Sequence, residues 1–426
     1  MGGNMKTIEK IIGVALLILC IALGSALLKT DMVFFRWVMG LALGYVLSRS
    51  FFGFAGSINR AYRAGSTKLM RALMLMFVLS AILTASFLIF GDATKYDLWV
   101  NPINAGLVIG GILFGFGMSC SSCCATGTLT DLVTGFPRAL VTLLFFCIGV
   151  FVGFPIQAKA DWVKKSLVST ATFPDGVFIP DWFGGNKRIE YIGAVVVTMV
   201  FAGIVIALSY LYEKKRKRSN TYTGVDTETV QDKLSNIDSS HYKILSGATY
   251  DRLFVKPWTL VEGAVILSVL FTLLMGVTKE GWGASTPFGF WFGRLLRVFG
   301  VSTDAITSFT NKPAGPFTMP FVENPMNMQN IGIVVGTLIY LLMAGMFTKA
   351  FTNGLKITPL DALIYAVGGF AMGFGTRLSN GCNVGALYTP IANFSLSGWI
   401  FFIALVAGGI LGNAILKNVY RACGRK

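Results

Sequence analysis

The chain has 426 residues, of which 54% are hydrophobic and only 13% charged, where a soluble domain carries about 25% charged residues. This excludes a soluble globular enzyme, a disordered chain and a small disulfide scaffold, and predicts an all-α polytopic membrane protein. The net charge of +16 fits basic cytoplasmic loops rather than nucleic-acid binding, and the single histidine, His241, nearly removes imidazole chemistry.

Residues 11–28 are the first apolar run, with Ser25 as its one polar residue. Its length just suffices to span. Lys6 and Lys10 precede it as in a signal peptide, but more spans follow, so a retained helix is expected. Further helices are expected at 33–48, 69–90, 103–118, 139–156, 192–212, 258–276, 331–350, 360–376 and 398–416. Residues 213–257 are polar and open with EKKRKRSN. We read them as a cytoplasmic linker between a first membrane half, 1–212, and a second, 258–426. The basic cluster Lys214–Arg218, the segment Arg60–Arg71, Lys349 with Lys356, and both termini are expected on the cytoplasmic side of a cell membrane. Residues 157–191 and 277–330 are expected outside, although both carry some basic residues.

The strongest signal is an internal repeat. GGILFGFGMSCSSCCATGTL, from Gly110 to Leu129, aligns without gaps at an offset of 258 with GGFAMGFGTRLSNGCNVGAL, from Gly368 to Leu387. Gly110, Gly111, Gly115, Phe116, Gly117, Ser121, Cys124, Gly127 and Leu129 each meet an identical residue. Such self-similarity marks two halves of one ancestral unit. The charge-based topology runs the paired helices in opposite directions, so the halves are expected to be inverted and pseudo-symmetric, a transporter architecture. Each motif places polar residues and a cysteine between a Gly-rich helix and a new short helix. Such broken backbone is tolerated at membrane depth only where it is buried in protein or lines a cavity. Two short re-entrant helices pointing N–H groups inward favour an anion.

Cysteine at the matched position, Cys124 and Cys382, suggests a soft ligand. A thiol is a small polarisable donor suited to a sulfur atom, and it can also carry sulfur as a persulfide. Cys120 and Cys123 lie on the first hairpin with Leu378 and Gly381 opposite. Ser121, Ser379 and Asn383 offer donors, Gly127 and Gly385 open the backbone, and Arg49 at membrane depth is a default functional candidate. Arg377, opposite Ser119, lacks repeat support. Arg294 and Arg297 share a face of an expected amphipathic helix. The seven cysteines, an odd count, do not form a secreted disulfide pattern.

At these residues the chain resembles the YeeE/YedE family of sulfur-transport membrane proteins. The resemblance also rests on RSFFGFAGSINR at 49–60, FGFWFGRLLRVFGVS at 288–302 and NFSLSGWIFF at 393–402. It implies full helices plus short re-entrant helices in two halves, uptake of thiosulfate or a related sulfur compound, and thiols that hand the ion on through S–H···S bonds. Carried over by motif, the central thiols are Cys124 and Cys382. Family members often carry a cysteine where this chain has Gly53, so one relay thiol is missing unless Cys120 or Cys123 replaces it. Some branches are linked to selenium metabolism or to soluble sulfur-carrier partners.

Three readings follow. The first is a transporter, not an enzyme, that passes a thiosulfate-like anion along Cys124, Cys382, Cys123, Cys120, Gly127, Gly385, Ser121, Ser379, Asn383 and Arg49, with no cofactor and no resident metal. The second is a sulfur or selenium relay carrying persulfide on Cys124. The third is a soft-metal site built on Cys120, Cys123 and Cys124. No GxxxxGK[ST] motif is present, so no ATP use is expected.

Overall fold

In the computed structural model, residues 2–234 and 247–423 are described, and His241 lies outside them. The described residues contain no strand, only two isolated bridges, Asp97 to Glu280 and Phe178 to Ser395. The principal helices are α1 (Gly2–Leu27), α2 (Asp31–Arg49), α3 (Phe54–Ala64), α4 (Lys68–Leu88), α5 (Ala105–Ser121), α6 (Ala125–Thr134), α7 (Phe136–Lys159), α8 (Lys187–Arg218), α9 (Asp226–Leu234), α10 (Leu260–Thr278), α11 (Thr286–Val298), α12 (Thr303–Thr310), α13 (Pro325–Met343), α14 (Pro359–Leu378) and α15 (Leu396–Ala422). Among the described residues, nine segments are long and apolar enough to cross a membrane. The chain is a polytopic all-α membrane protein.

All ten apolar runs fold as helices, with shifted ends. Helix α8 continues through the basic run to Arg218, where cations face the negative end of the helix dipole. Helix α13 stops at Met343, short of the expected 350, because the chain turns at Gly345 with φ of +64°. A left-handed residue there costs glycine nothing.

Packing joins helices from opposite ends of the sequence. Helix α5 lies on α15, and its repeat partner α14 lies on α7. Helices α5 and α14 also pack on each other. A Cβ added at Gly110 would meet the Gly375 carbonyl at 2.6 Å, and one added at Gly117 would run into the Gly368 carbonyl. Gly110 and Gly117 are the repeat partners of Gly368 and Gly375. The contacts are therefore reciprocal, and the two helices cross antiparallel. Small residues permit this approach where lipid gives no hydrophobic drive. Other pairs follow the same pattern: α2 on α13 with α10 on α4, and α3 on α15 with α11 on α7.

The bundle has two ends. One, here the linker face, gathers the start of α1, the α3–α4 turn, the end of α8 and the end of α15. Lys10 pairs with Asp251 at 2.9 Å, Arg216 donates to the Tyr62 carbonyl at 2.8 Å, and Arg63 donates to Asn413 at 2.9 Å. The far face gathers the loops after α4, α7 and α10. There Arg36 pairs with Glu280 at 2.6 Å, and Leu167 N–H reaches the Ile103 carbonyl at 2.9 Å.

Candidate functional site: two matched hairpins

Each repeat motif folds as a helix, a tight turn and a short return helix. Helix α5 ends at Ser121, and Ser122 turns the chain with φ of +57°. Its repeat partner Asn380 turns the chain after α14 with φ of +56°. Cys124 and Cys382 follow in extended conformation and start the return segments, α6 and Asn383–Ala392. The first return bond also recurs: Thr128 N–H reaches the Cys124 carbonyl at 2.7 Å, and Ala386 N–H reaches the Cys382 carbonyl at 2.6 Å. Asn383–Tyr388 is a wider π-helical turn than its counterpart in α6.

Both thiols are 1% exposed and belong to one apolar core. The Cys124 sulfur accepts the Gly127 N–H at 3.4 Å, the Ala55 N–H also points at it, and the Thr126 hydroxyl lies 3.3 Å away. It thus sits at the N-terminus of α6, where N–H groups and the helix dipole favour negative charge. Cys382 makes no such cap bond. Met118 and Met372 join both cysteines in the same apolar core. Asn383 donates to the Met118 sulfur at 3.2 Å, while its amide oxygen, fully buried, has no partner among the described residues. An unpaired buried polar atom is uncommon and costly.

Two cavities approach the hairpins from opposite ends. The linker-face cavity, about 290 Å³, is lined by Cys123, Cys124 and Gly127, with Gly53, Ala55, Arg60 and Asp131 in its walls. The far-face cavity, about 580 Å³, is lined by Trp99, Asn101, Gln157, Lys164 and Asn380. Gln157 donates to Asn380 at 2.7 Å, and its own amide oxygen is buried without a partner among the described residues. Asn101 reaches the Gly385 carbonyl at 3.5 Å, and a Cβ at Gly385 would meet the Trp99 ring at 2.8 Å. Cys382 lines neither of these cavities. Cys124, Cys382, Met118 and Met372 are buried in the apolar core at the hairpins.

The other expected site residues divide clearly. Cys123 lines the linker-face cavity and lies 3.2 Å from the Thr128 hydroxyl. Ser121 and Ser379 donate to the carbonyls of Gly117 and Gly375 at 2.7 and 2.8 Å, so both hydroxyl protons serve their own helices. Two expectations need correction. Cys120 points away from the hairpin into a separate apolar cluster with Ile364 and Leu416, because it lies on another face of α5. Arg49 is 2% exposed and clamps the end of the linker. It donates to the carbonyls of Arg252 at 2.9 Å, Lys256 at 3.0 Å and Leu253, and lies 4.2 Å over Trp258. Among the described residues no three of His, Cys, Asp and Glu gather as a metal site requires, so the thiolate-cluster reading has no donor set. Asp131 is held by Arg138 at 2.5 Å and Asp361 by Tyr420 at 3.2 Å.

Trp99, Asn101 and Gln157 had no signal in the sequence, since each reaches the second hairpin from a distant loop or helix end. The Ala55 N–H was equally hidden, being a backbone group. The family stretch around Gly53 was the one pointer to that wall.

Two curated relatives span most of the chain. The thiosulfate transporter TsuA of Escherichia coli (strain K12) is 23% identical over 383 residues, 89% of this chain and 93% of that protein. TsuA of Spirochaeta thermophila is 21% identical over 381 residues, 88% of this chain and 97% of its own length. The probable transporter YedE of E. coli is 29% identical over 164 residues, but that match covers only 38% of its length and 37% of this chain. The family described as sulphur transport matches residues 49–411, a stretch that contains both hairpins, and the chain belongs to that family.

Proposed function

We propose that the protein carries thiosulfate or a related sulfur-containing anion across the cell membrane, through a path that passes between the two hairpins. The supporting observation is that Cys124 and Cys382, at matched positions of the two hairpins, are both 1% exposed in one apolar core with Met118 and Met372, with a cavity at each hairpin. Thiosulfate has a hard oxyanion end and a soft sulfur end. N–H groups at the start of α6 suit the charge, and thiols and thioethers suit the sulfur. Low sequence identity to TsuA over nearly the full chain supports the same substrate class. In this reading no substrate bond breaks, so the protein is not an enzyme.

We also infer that residues 1–212 and 258–426 are inverted halves joined by the 213–257 linker. The antiparallel, reciprocal crossing of α5 and α14 supports this. The concentration of Lys and Arg on the linker face favours that face, with both termini, in the cytoplasm.

The test is uptake of labelled thiosulfate into proteoliposomes. Wild type should show saturable uptake. Cys124→Ala and Cys382→Ala should each lower it about tenfold or more, the size of one lost hydrogen bond to a charged group. Unchanged uptake in both variants would remove the thiols from the path.

A further inference from the structure

Beside the second hairpin, a buried and a half-buried cation stand without an anion among the described residues. Arg377, at the end of α14, is 2% exposed. Its guanidinium donates to three hydroxyls only: Thr376 at 3.1 Å, Thr286 at 3.3 Å and Ser285 at 3.2 Å. A guanidinium has five N–H donors, so two are left over. The half-buried Lys312 ammonium forms no hydrogen bond or ion pair among the described residues. Both cations crowd one ring. Lys312 Nζ lies 5.2 Å and Arg377 Cζ 5.6 Å from the centre of the buried Phe154 ring. No carboxylate pairs with either among the described residues.

This arrangement is costly as it stands. Burying a charge without a counter-charge is strongly unfavourable, and a ring face offsets only a small part of that. Two like charges at one ring add repulsion; burial and the Arg377 charge together hold the Lys312 ammonium below its usual range. The hydroxyls of Ser285 and Thr286 add polar groups at the start of α11. What is missing from the set is negative charge with several acceptor atoms.

The position links this cluster to the proposed path. Arg377 stands five residues before Cys382, and between them Asn380 lines the far-face cavity. The cluster therefore stands beside the route from that cavity to the second thiol.

We propose that Arg377 and Lys312, with Ser285 and Thr286, form a binding station for a small doubly charged oxoanion, which loads the ion before it meets Cys382. This deepens the transport reading and rests on it for the identity of the ion. Arg377 recognises the oxygens with its free N–H pair, and Lys312 adds charge at the open side. The sulfur end is left for the thiols.

Binding can be measured apart from transport. Full-length protein is purified in detergent, and its thermal unfolding midpoint is followed against thiosulfate, sulfate and chloride. Thiosulfate and sulfate should both raise the midpoint saturably, and chloride should not. Lys312→Gln should weaken the apparent affinity for both oxoanions about tenfold, the usual scale for a lost charged hydrogen bond. Arg377→Gln should abolish the shift, and Arg377→Lys should retain part of it. If Arg377→Gln does not fold, Lys312→Gln at its half-buried position carries the test. Wild-type affinity in Lys312→Gln would overturn the station, as would the absence of any shift in wild type. Loss of the thiosulfate shift on adding phosphatidylglycerol would assign the cations to a lipid phosphate and also overturn it. Binding with the expected variant pattern, but no thiosulfate uptake by wild type, would keep the station and overturn the transport reading instead.

Discussion

Two N–H groups converge on the Cys124 sulfur, one from Gly127 in its own helix and one from Ala55 across the chain. Such a sulfur is poised to accept, and it shares a hydrogen bond with the Thr126 hydroxyl, 3.3 Å away, in which either group can donate. The wall beside it has a vacancy in side-chain terms. Gly53 lines the same cavity with φ of −141°, and a Cβ built there would meet nothing within 4 Å. This is the position where the family resemblance implies a cysteine. Gly53→Cys should fold with a stability change inside about 0.5 kcal/mol. The new thiol should react with a membrane-impermeant thiol reagent from the linker face alone. A thiol that resists the reagent from that face would contradict the open wall. Cys124 and Cys382 were legible as a pair because the repeat aligned them. Arg49 and Cys120 were not placed correctly, because a linear motif cannot say which face of a helix a side chain leaves from. Arg49 sits between the cavity-lining Ser48 and Phe51 but points to the carbonyls of a segment some two hundred residues away.

At the scale of elements, the apolar runs alone were enough to find the long helices, since each must bury its backbone bonds internally. The short elements that build the site were harder to see. Helix α3 is eleven residues and α6 ten, and neither is long enough to give a hydropathy signal. The glycines of α5 and α14 were visible as a pattern, while their reciprocal contacts needed the fold. Gly117→Ala should destabilise the protein by about 1–3 kcal/mol, because the added methyl meets backbone that cannot yield. Gly53→Ala should be neutral in the same thermal unfolding measurement. Equal effects would mean that α5 and α14 are not so tightly crossed. Helix α9 offers another test. Its Glu228 is 3% exposed, pairs with Arg60 at 3.1 Å and binds Ser66, while Gln231 donates to the Ser50 carbonyl at 2.8 Å. This linker helix is thereby tied to the wall of the linker-face cavity. Breaking a buried pair on one side costs about 3–5 kcal/mol. Glu228→Ala should release α9 and speed modification of Cys123 by a small thiol reagent, measured by mass spectrometry. An unchanged rate would mean that α9 does not restrict that cavity.

For the whole molecule, charge asymmetry gives a direct test of orientation. Cys423 is the exposed thiol among the described cysteines and lies at the end of α15, on the linker face. In intact cells it should resist an impermeant maleimide, and it should react in inside-out vesicles. A cysteine introduced at the exposed Asp175, in the far-face cavity, should show the opposite pattern. Labelling of both from the same side would reverse or break the proposed topology.

The reciprocal packing of α5 on α15 and of α14 on α7 has a mechanical outcome. Each half clasps the other, and the clasp closes through glycine contacts with backbone, which offer no slack for sliding. Swinging one half as a rigid body would have to unclasp both pairs at once. In the proposed transport, passage of an ion then depends on small movements beside the axis, in the hairpin turns and in side chains such as Trp99 and Asn383. A cross-link that fastens α5 to α14 should leave uptake intact. The protein would work less like a rocking gate than like a fixed frame with two narrow latches.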